Sequence, residues 1–245
     1  MEDWGSAGKF VFTAPLSQGG EASHDVRVDG RGPPILILQE LPGIGPETLD
    51  LADRLVAAGF RVYLPHLFGK FGQVTTLRNA ARLFCVRREI NVFLRGRESP
   101  IAGWLRALCR EIRRREGGER QVGVIGMCLT GGFALTLMAE DAVAGGVAAQ
   151  PALPLFSRGA LPMSADDIAA ARRGMARNGP GLAMRHLGDP IAPAALMRAL
   201  EAAFGDDLVT VAYPGRRHSL LTLDFHEPAY RRVEAYFHER FRPAS

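Results

Sequence analysis

Cysteine is scarce, and Cys85, Cys109 and Cys128 are too few and too irregularly spaced in 245 residues to form a disulfide framework. A CxxC pair is missing as well, which removes the usual signature of a thiol redox couple or a zinc site. No window approaches the ~18 apolar residues that a membrane span needs, and the opening MEDWGSAGKF lacks the basic and apolar regions of a secretion signal. These absences predict a chain that neither spans nor crosses a membrane, and reduced cysteines fit a cytoplasmic location. With no internal repeat, low-complexity tract or interdomain linker, residues 1–245 are expected to fold as a single domain, and at 47% hydrophobic they can fill a substantial core.

A formal net charge of +4 raises the question of an anionic partner, because the arginines concentrate in stretches such as Arg106 to Arg120 and Arg172 to Arg177. No aromatic stacking platform or nucleic-acid motif accompanies them, so they are expected to be the solvated faces of amphipathic helices, with no nucleic-acid partner.

What is present is an alternation of short apolar runs and helical patterns. PILILQ, from Pro34 to Gln39, has the unbroken apolar character of a strand buried on both faces. A Gly- and Pro-rich turn, ELPGIGPE, leads into helical spacing over Leu49 to Ala58 and then a strand from Phe60 to Leu64. The same order recurs with a strand at Arg120 to Gly126, a helix at Leu129 to Ala139 and a strand at Ala144 to Gln150. Helices follow at Asp167 to Arg177, Ala194 to Phe204 and Pro228 to Phe241, with strands at Gly181 to Leu187 and Leu208 to Tyr213. This predicts an α/β architecture with a mostly parallel central sheet flanked by helices. The fifty-odd residues between Leu64 and Val122 carry two further helical patterns, about Leu77 to Phe93 and Pro100 to Arg115, which suit either a lid over the site or an outer layer.

The sharpest chemical feature is VGVIGMCLTGG, where an apolar strand ends and a helical pattern begins around Cys128. A nucleophile at such an apex needs small residues two positions either side; Gly126 satisfies this fully and Thr130 only in part. Free amides at a helix start favour a thiolate and a developing oxyanion, so Cys128 is the candidate nucleophile. Cys85 and Cys109 lie inside helical patterns and lack that context. Downstream, Asp189 in RHLGDPIAP and His218 in VAYPGRRHSLL each follow an apolar strand, which supplies the chain order nucleophile, acid, histidine. His24, His66, His186, His226 and His238 do not combine that order with a late loop.

The stretches ILILQELPGIGPETLDLADRLVAAGFRVYLPHLFG, VGVIGMCLTGGFAL, HLGDPIAP and YPGRRHSLL together resemble the dienelactone hydrolase family, whose members carry cysteine at the nucleophile turn. The resemblance extends over most of the chain and implies an α/β-hydrolase fold, a Cys128-His218-Asp189 triad and hydrolysis of a small-molecule ester or lactone without a cofactor or metal. It further implies that Glu40 holds the thiol neutral and takes its proton when substrate binds, and that the amides of Leu41 and Leu129 form the oxyanion hole. Two positions depart from the family pattern. Thr130 stands where most members have glycine. Thr222 stands where the characterised lactone hydrolases have an arginine that grips a substrate carboxylate. An arginine among Arg82, Arg87 and Arg88 could take over that contact or belong to an ordinary basic helix face. These departures keep open a second role, a catalytically reduced ligand-binding or thiol-sensing protein, in a monomer or small homo-oligomer.

Overall fold

Strand β3 (Pro34–Leu38) is buried at every position because both faces of the sheet are covered. The computed structural model describes residues 4–5, 8–41, 43–69, 71–72, 99–152, 161 and 163–242. Among them, eight strands form one sheet: β1 (Phe10–Pro15), β2 (Glu21–Gly30), β3, β4 (Arg61–Pro65), β5 (Val122–Met127), β6 (Val143–Ala149), β7 (Gly181–His186) and β8 (Leu208–Tyr213), in the order β1-β2-β4-β3-β5-β6-β7-β8. β2 runs antiparallel to both β1 and β4, while every pairing from β4 to β8 is parallel. The parallel strands need crossovers, and helices supply them: α1 (Pro46–Ala57), α2 (Pro100–Arg115), α3 (Gly131–Thr136), α4 (Ala165–Asn178), α5 (Ala194–Phe204) and, after β8, α6 (Glu227–Arg240).

Alternation along β3 sorts its side chains between two core layers. Leu36 and Leu38 join Trp104, Leu108 and Ile112 of α2, Phe133 of α3 and Leu200 of α5. Ile35 and Ile37 face the other way, with Leu51 and Leu55 of α1 and Val233 and Phe237 of α6.

Most arginines of α2 and α4 pair with carboxylates: Arg106 with Glu140 and Asp167, Arg110 with Glu140, Arg114 and Arg115 with Glu111, Arg172 with Asp207 and Arg177 with Asp141. No helix of the described residues is long and apolar enough to cross a membrane. The expected helix at Leu77 to Phe93 lies outside the described residues.

Candidate active site

Because β3 and β5 to β8 are parallel, the segments leaving their carboxyl ends emerge at one edge of the sheet. Those segments carry Glu40 and Leu41 after β3, Cys128 after β5, Gln150 after β6, Asp189 after β7 and His218 after β8.

Cys128 occupies a left-handed backbone conformation, φ 54°, directly after β5. The turn is so tight that a Cβ built on Gly126 would lie 2.2 Å from the Thr130 carbonyl oxygen. Glycine is therefore required at 126. Thr130 is accommodated because its hydroxyl is put to use: it accepts from the Met127 amide at 2.9 Å and lies 3.0 Å from the Leu38 carbonyl, to which it donates. The helix expected from Leu129 to Ala139 is divided into a 3-10 turn (Cys128–Thr130), the six-residue α3 and a second 3-10 turn (Leu137–Ala139).

His218 Nδ1 stands 2.7 Å from Asp189 Oδ2. The Asp189 carboxylate is buried, and its other oxygen accepts from the amides of Ile191 (2.8 Å) and Ala192 (3.1 Å). Arg185 spans the same loop, donating to the carbonyls of Leu187 and Ala192. With Nδ1 facing a carboxylate, the ring is set to carry its proton there and leave Nε2 as acceptor. Nε2 is buried and has no hydrogen-bond partner, so the thiol does not reach it in this structure.

Glu40 is almost fully buried, 4% exposed, and is engaged by three neutral donors. Thr222 Oγ1 donates to Oε1, while Ser219 Oγ (3.1 Å) and Gln150 Nε2 (3.3 Å) donate to Oε2. Its neighbour Gln39 faces the β4 exit, donating to the Phe68 carbonyl and accepting from the Leu67 amide. Burial raises the Glu40 carboxyl above the usual range, against the lowering effects of Thr222, Ser219, the His218 charge and Gln150. The Cys128 thiol is pushed up to about 12, first by burial, then by the negative charge of Glu40, with the Leu129 amide acting in the opposite sense and Asp189 adding a smaller rise. The helix start was expected to favour a thiolate; instead burial and Glu40 outweigh the Leu129 amide and favour the neutral thiol, in the sense that the resemblance implies.

The structure thus brings Glu40, Cys128, Asp189 and His218 to one edge, with the Leu41 and Leu129 amides next to two of them in the chain. Thr222 meets Glu40 directly. Cys109 is buried in α2, where burial raises its thiol. Cys85, Arg82, Arg87 and Arg88 lie outside the described residues. The other five histidines are engaged elsewhere, His24 against Trp104, His66 with Gly69, His186 with Pro214, His226 at the start of α6 and His238 against Phe60. Sequence reasoning missed Ser219 and Gln150. The signal for Gln150 was present, a polar residue closing the apolar run AGGVAAQ. Among the described residues, no group of three or more His, Cys, Asp or Glu is placed to hold a metal ion.

A nucleophile-type residue on a left-handed turn between a central strand and a helix, with an acid-histidine pair beyond later parallel strands, defines an α/β-hydrolase. Within that class the family is shown by sequence: the profile of the dienelactone hydrolase family matches residues 22–235, and the chain belongs to it. Solved structures agree on the fold. TT1662 from Thermus thermophilus is 19% identical with a TM-score of 0.65, covering 96% of this chain and 100% of that one. A dienelactone hydrolase-like promiscuous phosphotriesterase from metagenomic libraries is 16% identical with a TM-score of 0.63, covering 96% and 99%. The esterase Pf2001 of Pyrococcus furiosus is 13% identical with a TM-score of 0.62, covering 94% and 92%. No curated protein sequence matches significantly.

Proposed function

We propose that this hydrolase cleaves a small-molecule carboxylic ester or lactone through Cys128, His218 and Asp189, with Glu40 controlling the thiol. The observation that carries this reading is the His218 ring, held by Asp189 through Nδ1 with Nε2 buried and unpaired, at the edge where the Cys128 turn emerges.

In the first half-reaction the S–H bond of Cys128 breaks and its proton passes to Glu40 as the sulfur bonds the substrate carbonyl carbon. The oxyanion that forms is received by the amides of Leu41 and Leu129, each such donor being worth about 10²–10³-fold in rate. Collapse breaks the carbonyl carbon to alkoxy oxygen bond, and the alkoxide leaves with the proton that Glu40 had accepted, which restores the carboxylate. In the second half-reaction His218 Nε2 takes a proton from water as the hydroxide attacks the thioester, the C–S bond breaks, the departing sulfur recovers its proton from His218, and the acid is released.

The test is turnover of short aryl esters and small lactones by wild type and Cys128→Ala. Hydrolysis by wild type that disappears in a folded Cys128→Ala protein is the expected result. Equal turnover by both would remove Cys128 from the mechanism.

A further inference from the structure

Gln150 is fully buried at the end of β6, and its segment is tied to the nucleophile turn because the Ala152 amide donates to the Cys128 carbonyl at 3.0 Å. It carries two unfavourable features at once. Its backbone is left-handed at φ 37°, which outside glycine is found with Cys128 alone among the described residues. Its side-chain oxygen Oε1 is buried with no hydrogen-bond partner. The preceding residues Ala148 and Ala149 are apolar, and an apolar side chain at 150 would leave no acceptor orphaned. Strain and an unsatisfied group persist together where surrounding structure has a use for them. The use visible here is the other half of the amide: Nε2 donates to Glu40 Oε2.

We propose that Gln150 is a positioning residue for Glu40, donating through Nε2 to its carboxylate and so keeping it ready to accept a proton from the thiol. This rests on the role of Glu40 in the proposed function. The chemistry calls for such a donor. A buried carboxyl tends to hold its proton, and one that already carries a proton cannot take another from the thiol; three donors at its oxygens oppose this. A hydroxyl can turn and accept, whereas the Nε2 group of a carboxamide only donates. The orphaned Oε1 is the cost of aiming Nε2 at the carboxylate. Groups facing Glu40 from the other elements are the hydroxyls of Ser219 and Thr222 and the ring of His218 from the loop after β8, and Cys128 from the turn after β5; Asp189 stands behind His218. Of these, His218 and Cys128 are the ionisable side chains next to it. The Gln150 contact is one of those lowering the Glu40 carboxyl, so its removal must move that carboxyl further up.

Two variants test this in the full chain. Gln150→Met keeps the length and deletes both polar atoms; Gln150→Asn tolerates the left-handed backbone well and withdraws the amide by one methylene. Glu40 is titrated by the carbon-13 signal of its carboxyl, assigned by its loss in Glu40→Gln, and the pH dependence of kcat/KM is followed on a neutral aryl ester. The expected result is a Glu40 midpoint above the wild-type value and an acid limb of kcat/KM displaced with it, each pH unit lowering the rate about tenfold on the acid side. KM on the plateau should be unchanged. A midpoint and acid limb equal to wild type in a folded variant would overturn the proposal, whatever happens to the plateau, and Gln150→Asn decides the matter if Gln150→Met does not fold. Absence of Cys128-dependent turnover in wild type would instead refute the proposed function, while the carboxyl titration would still decide whether Gln150 governs Glu40.

Discussion

The hydroxyl of Thr130 donates to the main-chain oxygen of Leu38, 3.0 Å away and 92 residues earlier in the chain. It joins the end of β3, where Glu40 follows, to the turn that raises Cys128. Thr130→Val keeps the shape and removes the tie, leaving the Met127 amide without this acceptor. The expected cost is about 1–3 kcal/mol in urea unfolding, with reduced turnover because both halves of the site move. Wild-type stability would show that the hydroxyl carries no strain between the strands.

Gly126→Ala places a methyl group 2.2 Å from the Thr130 carbonyl, a backbone atom that cannot turn aside. Overpacking of this kind costs about 1–3 kcal/mol or more. A lower melting temperature with loss of Cys128-dependent hydrolysis is the expected outcome. An active variant of unchanged stability would mean that the turn can open without harm.

Asp189→Asn preserves the acceptor for the Ile191 and Ala192 amides but can present an NH₂ group to His218 Nδ1. The proton then moves to Nε2, which can no longer act as base. Turnover should fall by roughly 10²–10⁴-fold with little change in melting temperature. Retained turnover would detach the acid from the reaction.

Glu40→Gln should have opposite effects on two measurements. The Glu40 charge raises the thiol, so its loss lowers the thiol pKa and speeds iodoacetamide labelling at mildly alkaline pH. Acylation measured in a single turnover should nevertheless slow by about 10²–10⁴-fold, because the amide cannot take a proton. Faster labelling with undiminished acylation would leave His218 as the base for both steps.

Stability gives a third view of Glu40. Its folded carboxyl lies above the unfolded reference of 4.5, so the folded state holds the proton more tightly. That contribution is fully present below pH 4.5 and is lost as pH rises through the folded value. The melting temperature of Glu40→Gln relative to wild type should therefore climb with pH above 4.5, and a difference independent of pH would contradict the raised carboxyl.

Much of this architecture was legible in the sequence where the signal was local. α2, α5 and β8 have the bounds that their patterns indicate, since proline opens α2 at Pro100 and Gly205 follows α5. The chain order of Cys128, Asp189 and His218 was enough to bring them to one sheet edge. The hairpin β1–β2 was not legible in its own residues. Its strands are only partly buried, and they are placed by pairing, β2 with β4 and β1 with β2, rather than by an apolar run. The broken helix after Cys128 escaped for a related reason: its apolar spacing is continuous, and its divisions accompany a close approach to β5 and β6, where a Cβ on Gly126 or Gly146 would lie 2.2 Å from the carbonyl of Thr130 or Ala134. The partners of Glu40 were hidden because Gln150, Ser219 and Thr222 lie far from it in sequence. Their common target appears only when β3, β6 and the loop after β8 are brought together.

The two halves of the candidate site reach one edge on different kinds of support. Cys128 leaves β5, which is buried along its whole length and bonded on both sides by β3 and β6. Amides of such a strand exchange with solvent only when the whole sheet opens. His218 arrives on a loop whose own backbone is held by the carboxylate of Asp224, which accepts from the amides of His218 and Ser219. The residues that follow fasten it further: Leu220 and Leu221 are fully buried in the apolar layer that also holds Ile125 and Met127 of β5. The histidine loop and the nucleophile turn thus share one anchorage, so on warming the ring should leave its place only as that layer melts, and catalysis and near-ultraviolet ellipticity should fade over the same range.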